Sequence, residues 1–362
     1  MDESSPGPMP SGSGGPRRSR KRSFFILAPL LGWVGLELLS AGALWILPAS
    51  AVPVLPEDDP QWLISAKDAW KHRFFKIDEH TIWRPNPGYR EKASRTSRYG
   101  TADLLIDDNG HRARPDAPEK PAAKPEGVRR VLLVGGSHPF GMWVNPGEAY
   151  IEVLGDLLNR QGSGRWEVMN AACPGHTTFQ GRKYIEEYGL AFAPDIVLFD
   201  LGMNDTLPLA VTYATPDHEV QAVPSWAGHL GRLLGVLPSY GLLKRAMANI
   251  VGRPNPKQVR VPMERQLANQ DAVRKLGQSE GFKTLFFSQV AVTPIGPGGR
   301  ARCKYIPEGF SPYADVCDTF EQLEGDAGLY FHDPIHANAQ GHAIIAETVF
   351  AKLNELGWTQ SP

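Results

Sequence analysis

The chain has 362 residues, 42% hydrophobic and 21% charged, with 37 glycines and 32 prolines. That composition is globular with long loops and excludes a chain disordered throughout. A formal net charge of −1, from 38 basic and 39 acidic residues, excludes the basic surface that nucleic-acid binding demands.

The charge is unevenly spread. Arg17, Arg18, Arg20, Lys21 and Arg22 precede the run Phe24–Leu47, which is apolar except for Glu37 and Ser40. The tail over 1–23, rich in Ser, Gly, Pro and Arg, is expected to be disordered. At ~1.5 Å per residue the apolar run reaches ~36 Å, enough to cross a ~30 Å hydrocarbon core. Basic residues stay on the cytoplasmic side. The expectation is therefore one transmembrane helix, with the N-terminus cytoplasmic and the body extracytoplasmic. Ala49-Ser50-Ala51 fits a small-residue cleavage site, so a removed signal peptide is the second reading, although the run exceeds the ~7–15 residues of a signal core. Glu37 at mid-membrane costs ~2.5–3.5 kcal/mol on insertion scales for the related Asp. The neighbouring leucines are expected to outweigh it, without a partner helix.

Residues 48–127 are Pro-rich and weakly periodic. They read as an extracytoplasmic extension with a short strand at Leu104-Leu105-Ile106 and a linker, Pro115–Glu126, holding four prolines. The extension is expected to act as a spacer that sets the reach of the body. From Val128 the pattern changes, and residues 128–360 read as one domain. Strands are predicted at Val131–Val134, from Val168-Met169 to near Cys173, at Ile196–Leu201 and at Thr284–Val290. Helices are predicted at Glu148–Asn159, Thr178–Leu190, 262–281 and Asn338–Leu356. Alternating strands and helices imply a parallel sheet covered on both faces, with ligands outside the carboxyl ends of the strands. Residues 205–260 have no place in the alternation. They read as an insertion over the site, with a helix at Trp226–Val236 and apolar stretches such as Leu230–Leu243.

The unusual residues fall at those strand ends. Ser137 follows the first strand in Gly135-Gly136-Ser137-His138-Pro139-Phe140-Gly141. A serine at a strand-to-helix turn exposes its hydroxyl at the edge of the sheet. The segment is neither the G-x-S-x-G elbow, since Pro139 takes the last position, nor a Walker loop. Asp333-Pro334-Ile335-His336 precedes the last helix. Three apart in a turn, the carboxylate can hold the imidazole by Nδ1 and leave Nε2 to take a proton from a serine. A metal reading through His332 and His336 lacks a third ligand. Asn204, in Gly202-Met203-Asn204-Asp205, and Gly175, in Pro174-Gly175-His176, can join the Ser137 N–H as an oxyanion hole. Each loop alone also reads as an ordinary turn. Four such loops, each at the carboxyl end of a strand, fall in one order along the chain. Of three cysteines, Cys303 and Cys317 are expected to bridge in an oxidising compartment, and Cys173 to be buried and free.

The order of Ser137, Gly175, Asn204 and Asp333-x-x-His336 resembles the SGNH/GDSL hydrolase superfamily. Its G-D-S-x-T-x-G block is matched by Gly135–Gly141, with Gly136 for the usual Asp and Pro139 for the usual Thr. Neither position carries a proton in the chemistry. The G-x-N-D and D-x-x-H blocks are matched by Gly202–Asp205 and Asp333–His336. Upstream, Ile106–Arg112 resembles a Gly-x-Arg segment that precedes the domain in membrane-anchored members. The resemblance covers about 128–357. It implies a flavodoxin-like α/β three-layer sandwich with about five parallel strands, and esterase, lipase or acyltransferase activity without a cofactor. Ser137, Asp333 and His336 are the expected triad. The expected substrate is a short acyl ester, on a small molecule or an envelope glycan. Trp143, His138, His176 and Asn145 are read as sugar-facing groups. O-acyl transfer to a glycan, a lipase or lysophospholipase, and a catalytically silent glycan-binding module are the alternatives.

Overall fold

A computed structural model describes residues 18–46, 74–92, 102–115, 123–207, 234, 237–243, 259–307, 309–323 and 326–360. Helix α1 runs Arg18–Ile46. It starts inside the stretch expected to be disordered, because Arg and Lys are good helix formers and extend the helix ahead of its apolar run. Among the described residues no helix is long and apolar enough to cross a membrane. Glu37 is not simply outweighed by leucines: its carboxylate accepts from Ser239 N–H at 2.9 Å and Ser239 Oγ at 2.5 Å, at the start of a short helix over 238–243. The tail over 1–17, the Ala49–Ala51 site and most of the 205–260 insertion lie outside the described residues. Apart from position 234, so does the helix predicted at Trp226–Val236.

The described parts of the extension are built into the domain rather than strung out as a spacer. Strands β1 (Phe75–Asp78) and β2 (Ile82–Pro85) form an antiparallel hairpin, and β3 (Arg90–Glu91) pairs with β4 (Leu104–Leu105). Phe74, Trp83, Leu104 and Ile106 are buried in the same cluster as the sheet residues Leu133 and Leu198. The end of the linker is also held, by Lys124 Nζ on Asp195 at 2.9 Å.

The central sheet comes from β5 (Val128–Gly135), β6 (Arg165–Asn170), β7 (Ile196–Asp200), β8 (Lys283–Phe287) and, further along the chain, Tyr313–Ala314. All of its pairings are parallel, and the spatial order is Tyr313–Ala314, β8, β7, β5, β6. Successive strand residues bury on opposite faces. Val131, Leu133, Ile196 and Leu198 join one cluster; Leu132, Val134, Val197 and Phe199 join the other. Helices α2 (Ser137–Phe140), α3 (Tyr150–Gln161), α4 (Thr178–Glu187) and α5 (Met263–Glu280) follow in chain order. The three layers and five parallel strands agree with the expected α/β architecture. Strand order reverses between β5 and β7, so the crevice at their carboxyl ends is the natural ligand position.

One predicted strand is two. Thr284–Val290 breaks at Ser288, where β8 ends and β9 (Gln289–Thr293) leaves to pair antiparallel with β10 (Arg300–Tyr305). An apolar run shows burial, not which sheet provides it. Strand β11 is the Tyr313–Ala314 pair, followed by α6 (Val316–Glu321) and α7 (Ala339–Glu355). The expected disulfide joins Cys303 on β10 to Cys317 on α6, and Cys173 is free and buried.

Candidate active site

Ser137 opens α2 immediately after β5, with Gly136 as the N-cap. Its N–H is the first of the helix and has no intrahelical acceptor. The turn is tight: a Cβ at Gly136 would stand 2.9 Å from Asn204 Nδ2, so the Asn204 amide lies directly on the Gly136 backbone. That is the local consequence of glycine where aspartate is usual. Arg112, from the Ile106–Arg112 segment, is buried and closes the other end of α2. Its guanidinium donates to Phe140 O at 3.0 Å and to the carbonyls of Gly141 and Val144.

The Asp333–His336 turn reaches Ser137 from the far end of the sequence. His336 Nε2 is 2.8 Å from Ser137 Oγ, and His336 Nδ1 is 2.6 Å from Asp333 Oδ2. With the proton on Nδ1, the imidazole donates to the carboxylate and accepts from the hydroxyl. Asp333 Oδ1 accepts from the N–H groups of Ile335 and His336, both at 2.9 Å. Burial works against ionisation of Asp333. The bonds from His336 and from the Ile335 and His336 N–H groups outweigh it and hold the carboxyl well below its ordinary range. An ionised Asp333 fixes the Nδ1–H tautomer, and the arrangement is competent to draw a proton from Ser137.

Gly202 has φ +147°, and a Cβ there would meet the Tyr305 ring at 2.4 Å, so the turn into Asn204 requires glycine. Asn204 Nδ2 donates to His176 O at 2.8 Å and ties its block to the Gly175 loop. The Asp205 carboxylate is structural. It accepts from Thr178 N–H at 3.0 Å, and from Thr178 Oγ1, at the start of α4. Asp200, at the end of β7, accepts from Tyr150 OH at 3.0 Å and Gln289 Nε2 at 2.7 Å. Burial pushes its carboxyl up to about 6, although those bonds pull the other way. Gln289 also accepts from Met203 N–H at 2.7 Å, so it braces the Asn204 block from β9.

Sequence reasoning missed Gln289 and Arg112 as parts of the site. Asp200, inside the strand predicted at Ile196–Leu201, takes its partners Tyr150 and Gln289 from distant segments. Of the residues read as sugar-facing, only Trp143 meets the triad, its ring edge-on to His336 with centroids 6.4 Å apart. His176 is buried and His138 stacks between Phe331 and His342, because both loops turn inward to pack. Asn145 Oδ1 accepts from Asp103 N–H instead.

The cavity at Ser137 is about 20 Å³ and is lined by Pro139, Leu201, Met203, Gln289 and Ile335. A larger one, about 300 Å³, lies between α3 and β6, and no triad residue lines it. Among the described residues no group of three or more His, Cys, Asp or Glu could hold a metal ion.

A sequence model of the GDSL-like lipase/acylhydrolase family matches residues 133–344, more than half of the chain. No curated protein matches. Among solved structures, a putative acylhydrolase from Bacteroides fragilis is 13% identical, aligning 67% of this chain and 90% of that one with a TM-score of 0.36. The psychrotrophic esterase EstA from Pseudoalteromonas sp. is 14% identical over 63% of this chain and 98% of its own, with a TM-score of 0.38. A two-domain esterase active on acetylated mannans is 14% identical over 63% of this chain and 50% of its own, with a TM-score of 0.42. The chain therefore belongs to the GDSL-like lipase/acylhydrolase family, and it is an ester hydrolase.

Proposed function

We propose that the protein removes a short acyl group, an acetyl in the simplest case, from an envelope carbohydrate at an extracytoplasmic membrane surface. The observation that carries the chemistry is His336 bridging Ser137 Oγ and Asp333 Oδ2. His336 takes the hydroxyl proton as Ser137 attacks the ester carbonyl. The N–H groups of Ser137 and Gly175 and the second amide N–H of Asn204 receive the oxyanion. The alcohol leaves with the proton, and water enters to release the acid by the reverse relay. Among the described residues the cavity at Ser137 is small, about 20 Å³, which favours a short acyl chain.

The membrane reading rests on α1 and its basic flank. Leu30, Leu31, Trp33, Leu36, Leu38 and Leu39 are all exposed on that helix. Such a face gains by entering lipid, and the Ser239 bonds lower the cost of Glu37.

Fluorophosphonate labelling with a chain-length series of p-nitrophenyl esters tests the chemistry. Labelling is expected in wild type and absent in Ser137→Ala. Acetate is expected to be turned over better than decanoate. A kcat/KM that rises tenfold or more with chain length points to a lipase instead. For the anchor, the full chain is expected to stay with membranes after alkaline carbonate extraction and a fragment from residue 52 to be soluble. Full-length protein in the carbonate supernatant would remove the anchor.

A further inference from the structure

The loop after β6 is held in an unusual way. Three successive carbonyls each accept a side-chain donor. Pro174 O accepts from Trp83 Nε1 at 3.2 Å, Gly175 O from Arg260 Nη1 at 2.6 Å, and His176 O from Asn204 Nδ2 at 2.8 Å. Two of these donors come from outside the recognised blocks. Trp83 lies on β2, ahead of the family match at 133–344.

The geometry matters because of which peptide Trp83 holds. Gly175 N–H belongs to the Pro174–Gly175 peptide, which is trans. In a trans peptide the N–H points opposite to the C=O. A donor that fixes Pro174 O therefore fixes the direction of the Gly175 N–H. Gly175 itself has φ +82°, a region glycine enters freely and does not hold on its own. The indole is locked in turn. Trp83 is 2% exposed, its carbonyl is 2.8 Å from His176 Nε2, and its ring meets the His176 ring edge-on at 5.7 Å. The Arg260 guanidinium covers the indole at 5.4 Å, and Gln180 Nε2 ties Thr81 O to the same loop at 2.8 Å.

We infer that Trp83 is a positioning residue for ester hydrolysis: its indole N–H, through Pro174 O, aims the Gly175 N–H at the oxyanion of the tetrahedral intermediate. The inference rests on the reading of Gly175 as an oxyanion donor. As negative charge develops on the substrate oxygen, the Gly175 N–H bond strengthens and polarises its peptide. Pro174 O then becomes a better acceptor, and the Trp83 bond strengthens with it. The gain is larger in the transition state than in the bound ester, so it acts on kcat and not on KM.

Trp83→Phe keeps an aromatic ring at this position and removes the N–H together with the second ring of the indole. With p-nitrophenyl acetate, kcat is expected to fall about tenfold, less than the ~10²–10³ for deleting an oxyanion donor outright. KM is expected to stay within about twofold, because ground-state binding is unaffected. A trifluoromethyl ketone, which forms a tetrahedral adduct on the serine, is expected to lose about the same tenfold in affinity. A purely packing role would not weaken this inhibitor while sparing KM. If Trp83→Phe does not fold, 3-benzothienylalanine at position 83 replaces the N–H by sulfur and keeps the bicyclic shape. An unchanged kcat in the folded variant, or a raised KM with kcat intact, overturns the inference while Ser137→Ala remains inactive. Replacing the Pro174–Gly175 amide by an ester removes the Gly175 N–H: a kcat unchanged by that replacement removes the underlying reading, and a kcat lowered by it but not by Trp83→Phe overturns the inference alone.

Discussion

Ser137 and the Asp333–His336 pair lie almost 200 positions apart in the chain and meet within hydrogen-bond distance, and their separate roles follow from what surrounds each. Ser137 is half-buried at its turn, His336 is oriented by Asp333, and Asp333 is kept ionised by His336 and two backbone N–H groups. Asp333→Asn tests that division. The amide fits the same space but favours the wrong imidazole tautomer, so kcat is expected to fall by ~10⁴ with the fold intact. Steady-state kinetics on p-nitrophenyl acetate measures it, and a loss under tenfold would show that His336 does not depend on Asp333. These side chains were legible in the sequence because each sits in a short motif at a strand end. Gln289 and Arg112 were not legible as site residues. Both act through carbonyls and amides of segments far from them in the chain, and no spacing rule marks such a contact.

The elements that position the site are the β5–β7 switch and the extension ahead of the domain. The strands flanking the switch were readable from alternating apolar runs; their order in the sheet was not. The extension, read as a Pro-rich spacer, instead supplies Phe74, Trp83, Leu104 and Ile106 to the main cluster, and Arg112 to the end of α2. Large apolar side chains contribute ~1.5–3 kcal/mol each when fully buried. Losing four of them approaches the ~5–15 kcal/mol that stabilises a whole domain. A fragment over 123–360 is therefore expected to aggregate or lack near-UV circular dichroism, although it contains all the family motifs. A fragment over 70–360 is expected to fold. A native spectrum from the shorter piece would show the extension to be dispensable. Low periodicity hid β1, β2 and β3, since two- to four-residue strands are too short to display a pattern; of the four, β4 alone was expected.

Across the whole molecule, stability depends on buried groups that titrate below neutrality. Burial holds His176 down at about 4 and pushes His342 well below its ordinary value. In the unfolded chain both take a proton near pH 6.5. Between there and the folded values the unfolded state binds more protons, so stability is lost as pH falls, by about 1.4 kcal/mol per unit for each group. Asp200 opposes this. Its carboxyl is raised by burial to about 6, so between about pH 6 and 4 the folded state binds the extra proton and gains stability on acidification. Burial likewise holds His138 down at about 3 and raises the Glu152 carboxyl, so three histidines stand against two carboxyls. Urea midpoints are expected to fall from pH 7 to pH 5, and His176→Gln is expected to flatten the slope. A flat profile in wild type would mean that none of these histidines is held neutral.

The α/β class, the parallel sheet, the family resemblance and the residues that now meet at Ser137 were all legible along the chain. Those rest on local patterns: buried runs of strand length, helical spacing, and reactive residues placed where strands end. Only the tertiary structure decided that the apolar run at 284–290 divides between two sheets and that the upstream hairpin is part of the core. It also decided that His176 is buried and that the His138 ring stacks against Phe331 and His342. In each case the deciding quantity is a contact between segments far apart in the chain. Composition and periodicity record that a residue is suited to burial or to a turn; the partner that buries it is chosen only when the layers close.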